Sequence, residues 1–113
     1  MAALIIRTML QISDGALDRF LDVSGRWVDA TKSEIGTADY HCFVNRSASQ
    51  AVFLEHYIDD AAFLAHREAI DAQLRAELYG SAALVGFEVY GDPGPDVRSL
   101  LSGATTFGHY RSK

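Results

Sequence analysis

Two kinds of apolar spacing alternate along the chain, and this alternation is what most restricts its fold. Two-residue spacing and short β-branched runs predict four strands, over residues 3–12, 40–45, 51–57 and 82–90. Three- and four-residue spacing predicts a helix that Asp14 caps and that fades near Lys32, and a second helix that begins at Asp59 or Asp60 and ends at Gly80. The second helix can contain a break that the pattern does not locate. The resulting order, βαββαβ, is the ferredoxin-like arrangement of α+β proteins.

A unit of this kind carries both helices on one face of a four-stranded antiparallel sheet and leaves the other face open. The sequence predicts that the open face is partly apolar, with Leu54 and Val44 as examples. An exposed apolar sheet is a liability for a monomer, whereas two such sheets paired across a two-fold axis cover each other. We therefore expect a homodimer.

The composition changes after the fourth predicted strand. Both prolines of the chain, Pro93 and Pro95, lie in a short glycine-containing segment that is typical of a turn or linker. We therefore predict a domain over residues 1–91 and a C-terminal extension over residues 92–113. The extension is expected to hold a short helix at residues 96–101 and a tail that can pack on the partner subunit.

Charge and cysteine content exclude several classes of function. Fifteen acidic and ten basic residues give a formal net charge of −5, without the clustered cations that nucleic-acid binding needs. The chain has no apolar run long enough for a membrane helix and no signal-peptide pattern. Cys42 is the only cysteine, and the histidines lack metal-ligand spacing, so we predict no disulfide and no metal site. We expect a cytoplasmic protein without nucleic-acid or membrane partners.

Two motifs in the chain resemble those of a known family. Glu34-Ile-Gly36 followed by Tyr40 and Phe43 is similar to an E-x-G-x-x-x-Y-x-x-aromatic run. In the second motif, residues 53–66, a strand ends in Glu-x-aromatic, an Asp begins a helix, and a His follows nine residues after the aromatic. Both motifs, in this order of elements, resemble the antibiotic biosynthesis monooxygenase family.

The resemblance implies a dimeric α+β barrel in which each subunit encloses a cavity between its sheet and its helices. It also implies a cofactor-independent monooxygenase whose partners are O2 and an aromatic phenol, quinol or polyketide-type molecule. A non-catalytic binding or structural dimer of the same fold is the alternative, because a fold does not determine a function. Haem binding and degradation is less favoured, because Tyr57 stands where haem-degrading members have Trp and the first strand lacks their Asn.

Three residues are candidates for catalysis. The resemblance implies that His66 is a general base, although a core histidine with satisfied ring nitrogens is equally compatible with its apolar helix face. Glu55 lies in an otherwise apolar strand and needs a partner, such as His66 or Arg7. It would orient His66, or form a purely structural ion pair. Tyr57 would donate a hydrogen bond to the substrate, or form part of the cavity wall.

Five residues are candidates for substrate binding: Phe53, Phe63, Trp27, Arg7 and Asn45. The helical spacing of Trp27 favours a place in the core, and the long side chain of Arg7 favours the surface. The pattern of the second strand does not decide which of its faces points inward, the one with His41, Phe43 and Asn45 or the one with Tyr40, Cys42 and Val44. If Phe53, Phe63, Phe87 and Trp27 fill the space between sheet and helices, no room remains for a substrate.

Overall fold

The computed structural model describes residues 3–113, so the first two residues of the predicted domain lie outside it. Five strands and four helices follow in this order: β1 (Leu4–Ile12), α1 (Leu17–Thr31), β2 (Thr37–Asn45), β3 (Gln50–Tyr57), α2 (Asp60–Ala69), α3 (Ala72–Ser81), β4 (Ala82–Tyr90), α4 (Pro95–Leu100) and β5 (Thr105–Phe107). The predicted βαββαβ order is confirmed. The second predicted helix is divided into α2 and α3.

The sheet has the strand order β2-β3-β1-β4-β5. Its first four strands pair antiparallel, as the ferredoxin-like fold requires, and β5 adds a parallel fifth strand beside β4. In the two pairings of β1, Ile6 lies opposite Glu55 on one side and Val89 on the other. The sheet is open at both edges and is not closed into a barrel within one chain.

Aspartate side chains begin both halves of the divided helix. The Asp59 carboxylate accepts a hydrogen bond from the Ala62 amide at 2.8 Å, and Asp71 accepts one from the Leu74 amide at 3.1 Å. The break is at Ile70, which has an extended backbone between the two helices. The predicted cap of α1 is wrong, because its N-cap residue is Ala16 and Asp14 lies in the preceding turn.

Strand alternation separates a buried face from an open one. On the buried face, Thr8 and Phe53 pack beneath the helices together with Tyr40 of β2. Leu54 lies on the open face as predicted. Val44 does not, because it is paired with the buried Ala51 and therefore shares the inward face of β2.

The C-terminal extension packs on its own chain. The predicted short helix is present as α4, and the Gly94 amide before it donates a hydrogen bond to the Asp60 carboxylate at 2.7 Å. The sequence did not predict β5, where the Phe107 ring stacks on Tyr90 with centroids 5.3 Å apart. Leu101, which follows α4, is buried and contributes to the cavity described below.

Residues 3–113 contain no helix that is both long and apolar enough to cross a bilayer.

Candidate functional site

A cavity of about 60 Å³ lies between the buried sheet face and the helices. A buried water needs about 10–15 Å³, so the space holds a few water molecules. Aromatic side chains form much of its wall, namely Trp27, Tyr40, Phe53, Phe63 and Phe87. Phe53, Phe63 and Trp27 therefore lie on the cavity wall, and their role in substrate binding stays a prediction. They also narrow the cavity.

His66 reaches this cavity from α2 and is held by a carboxylate that precedes β2. Its Nδ1 lies 2.7 Å from Glu34 Oε1, and both side chains are largely shielded from solvent. Thr37 donates a second hydrogen bond to the same carboxylate oxygen at 2.9 Å. A carboxylate that accepts from Nδ1–H fixes the tautomer in which the other ring nitrogen, Nε2, carries no proton.

The Nε2 atom of His66 is free to act as a base. It makes no hydrogen bond within residues 3–113, and it is not among the buried polar atoms that lack a partner. It therefore keeps some solvent-accessible surface, and His66 lines the cavity. Burial, together with the nearby positive charges of Arg75 and Arg67, holds the pKa of His66 below its ordinary value, although the bond to Glu34 opposes this. The imidazole is consequently neutral at pH 7.

Glu55 is buried at the centre of the sheet, and its hydrogen bonds differ from the predicted ones. Its carboxylate accepts from the Thr8 hydroxyl at 2.6 Å and from the Tyr57 hydroxyl at 2.6 Å. The predicted pairing with His66 or Arg7 is wrong. Register explains this for Arg7, which is paired with Leu54 and therefore lies on the opposite face of the sheet.

Burial makes Glu55 a carboxyl group that can hold a proton. Loss of hydration raises its pKa from 4.5 to about 7, although hydrogen bonds from Thr8, Tyr57 and Tyr40 favour the charged form. Glu34 nearby raises it further. The cavity thus contains a neutral imidazole beside a carboxyl group whose pKa is raised to about 7, a combination typical of acid–base sites.

The two buried tyrosines have different positions. Tyr57 is fully buried, donates its hydroxyl hydrogen to Glu55 and is not part of the cavity wall. The structure therefore does not place its hydroxyl where the predicted hydrogen bond to a substrate would form. Tyr40 lies on the wall instead, where its hydroxyl oxygen accepts from Trp27 Nε1 at 2.9 Å. Burial raises the pKa of Tyr40 well above 10, so its phenol stays protonated.

Arg7 and Asn45, two of the predicted substrate-binding residues, do not line the cavity. Arg7 lies on the open face, where it forms an ion pair with Glu88 at 3.0 Å. Asn45 ends β2 and uses its side-chain oxygen to accept hydrogen bonds from Ser47 and from the Ala48 amide. Both lie on the sheet face opposite to the one that carries Thr8 and Glu55.

The sequence did not assign roles to five residues of the site: Glu34, Thr8, Tyr40, Arg67 and Arg75. Glu34 carried a signal, because it is the first residue of the E-x-G motif. Thr8 could have been found only from the register of β1 and β3. The two arginines lie on α2 and α3, and their convergence depends on the break at Ile70.

Close packing against α2 explains why the E-x-G motif has a glycine at position 36. A Cβ atom at this position would lie 2.4 Å from Ala62 Cβ and 3.2 Å from its Cα, so the loop that carries Glu34 lies directly against α2. We expect Gly36→Ala to lower the free energy of unfolding by about 1–3 kcal/mol, the usual cost of overpacking. Urea denaturation measures this loss.

Ala62→Gly supplies the control for this substitution. In the Gly36→Ala background it removes the clashing methyl group and should recover part of the loss. Alone it should cost no more than about 1 kcal/mol, the helix propensity difference. A Gly36→Ala variant as stable as the wild type would show that the loop can move away from α2 without cost.

No group of three or more His, Cys, Asp or Glu side chains is arranged to hold a metal ion anywhere in residues 3–113.

Comparisons with known proteins agree with this fold. The sequence model of the antibiotic biosynthesis monooxygenase family matches residues 3–75. No curated protein sequence matches the chain. The fold is similar to that of MupZ from Pseudomonas fluorescens, with a TM-score of 0.88 and 22% identity over 100% of this chain and 94% of that one.

Two further solved structures share the fold over about four fifths of this chain. An antibiotic biosynthesis monooxygenase has a TM-score of 0.66 and 24% identity, over 81% of this chain and 99% of its own. SnoaB from Streptomyces nogalater, described as a cofactor-independent oxygenase, has a TM-score of 0.66 and 10% identity, over 83% and 96%. At these identities the structures establish the fold and not the substrate.

Proposed function

The chain belongs to the antibiotic biosynthesis monooxygenase family, and from that premise we propose that it is a cofactor-independent monooxygenase of a small phenol, quinol or enolic polyketide-type molecule. The observation that supports this proposal is the Glu34–His66 pair on the cavity wall, with Nδ1 and Oε1 2.7 Å apart and Nε2 without a hydrogen-bond partner within residues 3–113. Such a pair supplies the base that the reaction needs.

In the proposed mechanism, the protein activates the substrate and not O2. His66 Nε2 removes the proton of the phenol or enol, and the resulting anion transfers an electron to O2 and then combines with it at carbon. The substrate gains one oxygen atom and loses two hydrogen atoms, which leave with the second oxygen as water. An apolar wall favours this sequence because it excludes water from the reactive anion.

Glu55 has a different part in this mechanism from the one that the sequence suggested. It does not orient His66, since that position is taken by Glu34. Its side chain lines the cavity, and a pKa of about 7 leaves a proton on a substantial fraction of molecules at neutral pH. We propose that Glu55 donates a proton to the oxygen atom that leaves as water. Tyr57 and Thr8 hold its carboxyl group in place.

The small volume of the cavity favours a second candidate function, a non-catalytic binding or structural dimer. About 60 Å³ is less than a ring-containing molecule occupies, so a substrate enters only if side chains at the mouth move. Tyr79 at that mouth is 44% exposed and is the side chain best placed to do so. The same volume argues against a porphyrin, so we do not propose haem binding.

Oxygen uptake with a panel of quinols and anthrones tests the proposed function. Wild-type protein should consume O2 in the presence of EDTA and transfer one labelled atom from 18O2 to the product. His66→Gln should lose this activity, whereas the matched His109→Gln, in the exposed C-terminal tail, should keep it. Binding of a panel member without O2 uptake would favour the second candidate. Unchanged activity in His66→Gln would overturn the proposed mechanism.

We also propose that the open sheet face pairs two copies of the chain. Phe43, Val52 and Met9 lie side by side across β2, β3 and β1 on this face, and Phe43 is 57% exposed. Light scattering should give twice the 12.4 kDa of one chain. Phe43→Lys places a charge inside the paired face and should give monomers.

Ala30→Lys, on the exposed surface of α1, adds the same charge away from the sheet and should leave the dimer intact. A wild-type protein with the monomer mass at micromolar concentration would refute the pairing.

A further inference from the structure

The mouth of the cavity has a chemistry different from that of its floor. His66 and Glu55 at the floor are 4% and 5% exposed. Arg67 of α2 and Arg75 of α3 also line the cavity, but both are half-buried and therefore lie nearer to solvent. Two guanidinium groups thus flank the entrance in a chain whose formal net charge is −5.

Neither of these arginines is neutralised by the protein. Within residues 3–113, no carboxylate lies within 4.0 Å of the guanidinium group of Arg67 or Arg75, whereas Arg7 and Arg26 both have acidic partners. Arg75 uses one nitrogen to donate to the backbone carbonyl of Arg67 at 3.0 Å. Arg67 lies over the Phe63 ring, 5.9 Å from its centroid, and donates no hydrogen bond within the described chain.

These contacts fix both guanidinium groups and leave most of their N–H donors free. A planar guanidinium is suited to paired hydrogen bonds with an oxyanion, and such bonds are stronger than neutral ones. The net negative charge of the chain repels anions at long range, whereas the two cations at the entrance attract an anion locally.

We propose that Arg67 and Arg75 bind an anionic group, a carboxylate or a phosphate, on the far end of the substrate while its ionisable hydroxyl faces His66. This inference rests on the proposed function, because it takes the cavity to be the substrate site. It adds the class of the substrate, an acidic one. The arrangement also orients the molecule, with its anionic end at the mouth and its hydroxyl at the floor.

Three ligands with a common phenol ring test the inference by calorimetry at constant ionic strength: 4-cresol, 4-hydroxyphenylacetate and 4-hydroxybenzylphosphonate. They differ in charge and do not need to be turned over. Wild-type protein should bind at least one of the anions about tenfold or more tightly than 4-cresol, as charge-assisted hydrogen bonds give. The two anions show whether the site prefers a carboxylate or a phosphate-type group.

Variants separate binding from a structural role. Arg67→Gln keeps the bond from Arg75, because that bond uses the backbone carbonyl of residue 67. It should abolish most of the preference for the anion without a loss of Tm, and Arg75→Gln should do the same with some loss. Arg46→Gln, with the same charge change in the exposed turn after β2, should keep the preference.

Each result decides the inference independently of activity. Equal binding of 4-cresol and both anions, or no binding of either anion at millimolar concentration, overturns it. A preference that survives in the Arg67→Gln, Arg75→Gln double variant overturns it as well. An anion preference that depends on these arginines supports it even if no compound consumes O2, in which case the monooxygenase proposal fails alone.

Discussion

Replacing Glu34 by glutamine is expected to lower kcat by roughly 10²–10⁴-fold, the usual contribution of a general base. The carboxylate accepts from His66 Nδ1 at 2.7 Å, which leaves Nε2 without a proton. A glutamine amide can instead donate to Nδ1, and the proton of the ring then moves to Nε2, where no base remains. The loss should appear in kcat and not in KM, because Glu34 does not line the cavity.

The pKa of His66 provides a second readout that needs no substrate. Glu34 raises the pKa of His66 through its hydrogen bond and its charge, against the lowering caused by burial. In Glu34→Gln, an NMR titration of the His66 ring should therefore give a pKa lower still than in the wild type. Glu68→Gln removes one charge from the exposed side of α2 and should change neither kcat nor this pKa. If the pKa falls and kcat does not, the pair is structural.

The fold could be predicted from the sequence because the patterns that indicate its strands and helices are local. Two-residue and 3.6-residue periodicities placed the four main strands and their helices, and Asp59 or Asp60 marked the start of α2. The break at Ile70 that separates α2 from α3 was not located. The short strand β5 gave no such signal. Its Thr105–Phe107 segment forms a strand only because the free edge of β4 offers backbone partners.

The site could be predicted from the sequence only in part, because its side-chain contacts depend on the register of the strands and on the position of the loop that carries Glu34. Periodicity placed Trp27, Phe63 and His66 on the apolar faces of their helices and Phe53 on the strand face of Glu55, and all four line the cavity. The pairing of Glu55 with Thr8 requires the register of β1 against β3, which the pattern does not determine. Glu34 is 32 residues from His66 in sequence, and it reaches the histidine because Gly36 lets its loop lie against α2.

A substitution at Glu55 is expected to change how stability depends on pH. The pKa of this carboxyl is about 7 in the folded chain and 4.5 in the absence of burial, so between these values the folded state holds a proton that the unfolded chain has released. The free energy of unfolding therefore falls as the pH rises through this window, by about 3 kcal/mol in total for an isolated group. Above pH 7 both states are ionised and this contribution stays constant.

Glu55→Gln removes this titration and keeps a side chain of the same shape, whose amide can still bond Thr8 and Tyr57. Urea denaturation at pH 4.5, 6 and 8 measures the free energy of unfolding of both proteins. Relative to the wild type, that of the variant should rise by about 3 kcal/mol between pH 4.5 and pH 8. Taking the difference between the two proteins removes the contributions of groups that both share. Glu68→Gln, exposed on α2, should give a curve parallel to that of the wild type. Parallel curves for Glu55→Gln would mean that the carboxyl stays ionised in the folded chain, and that it has no proton to return during turnover.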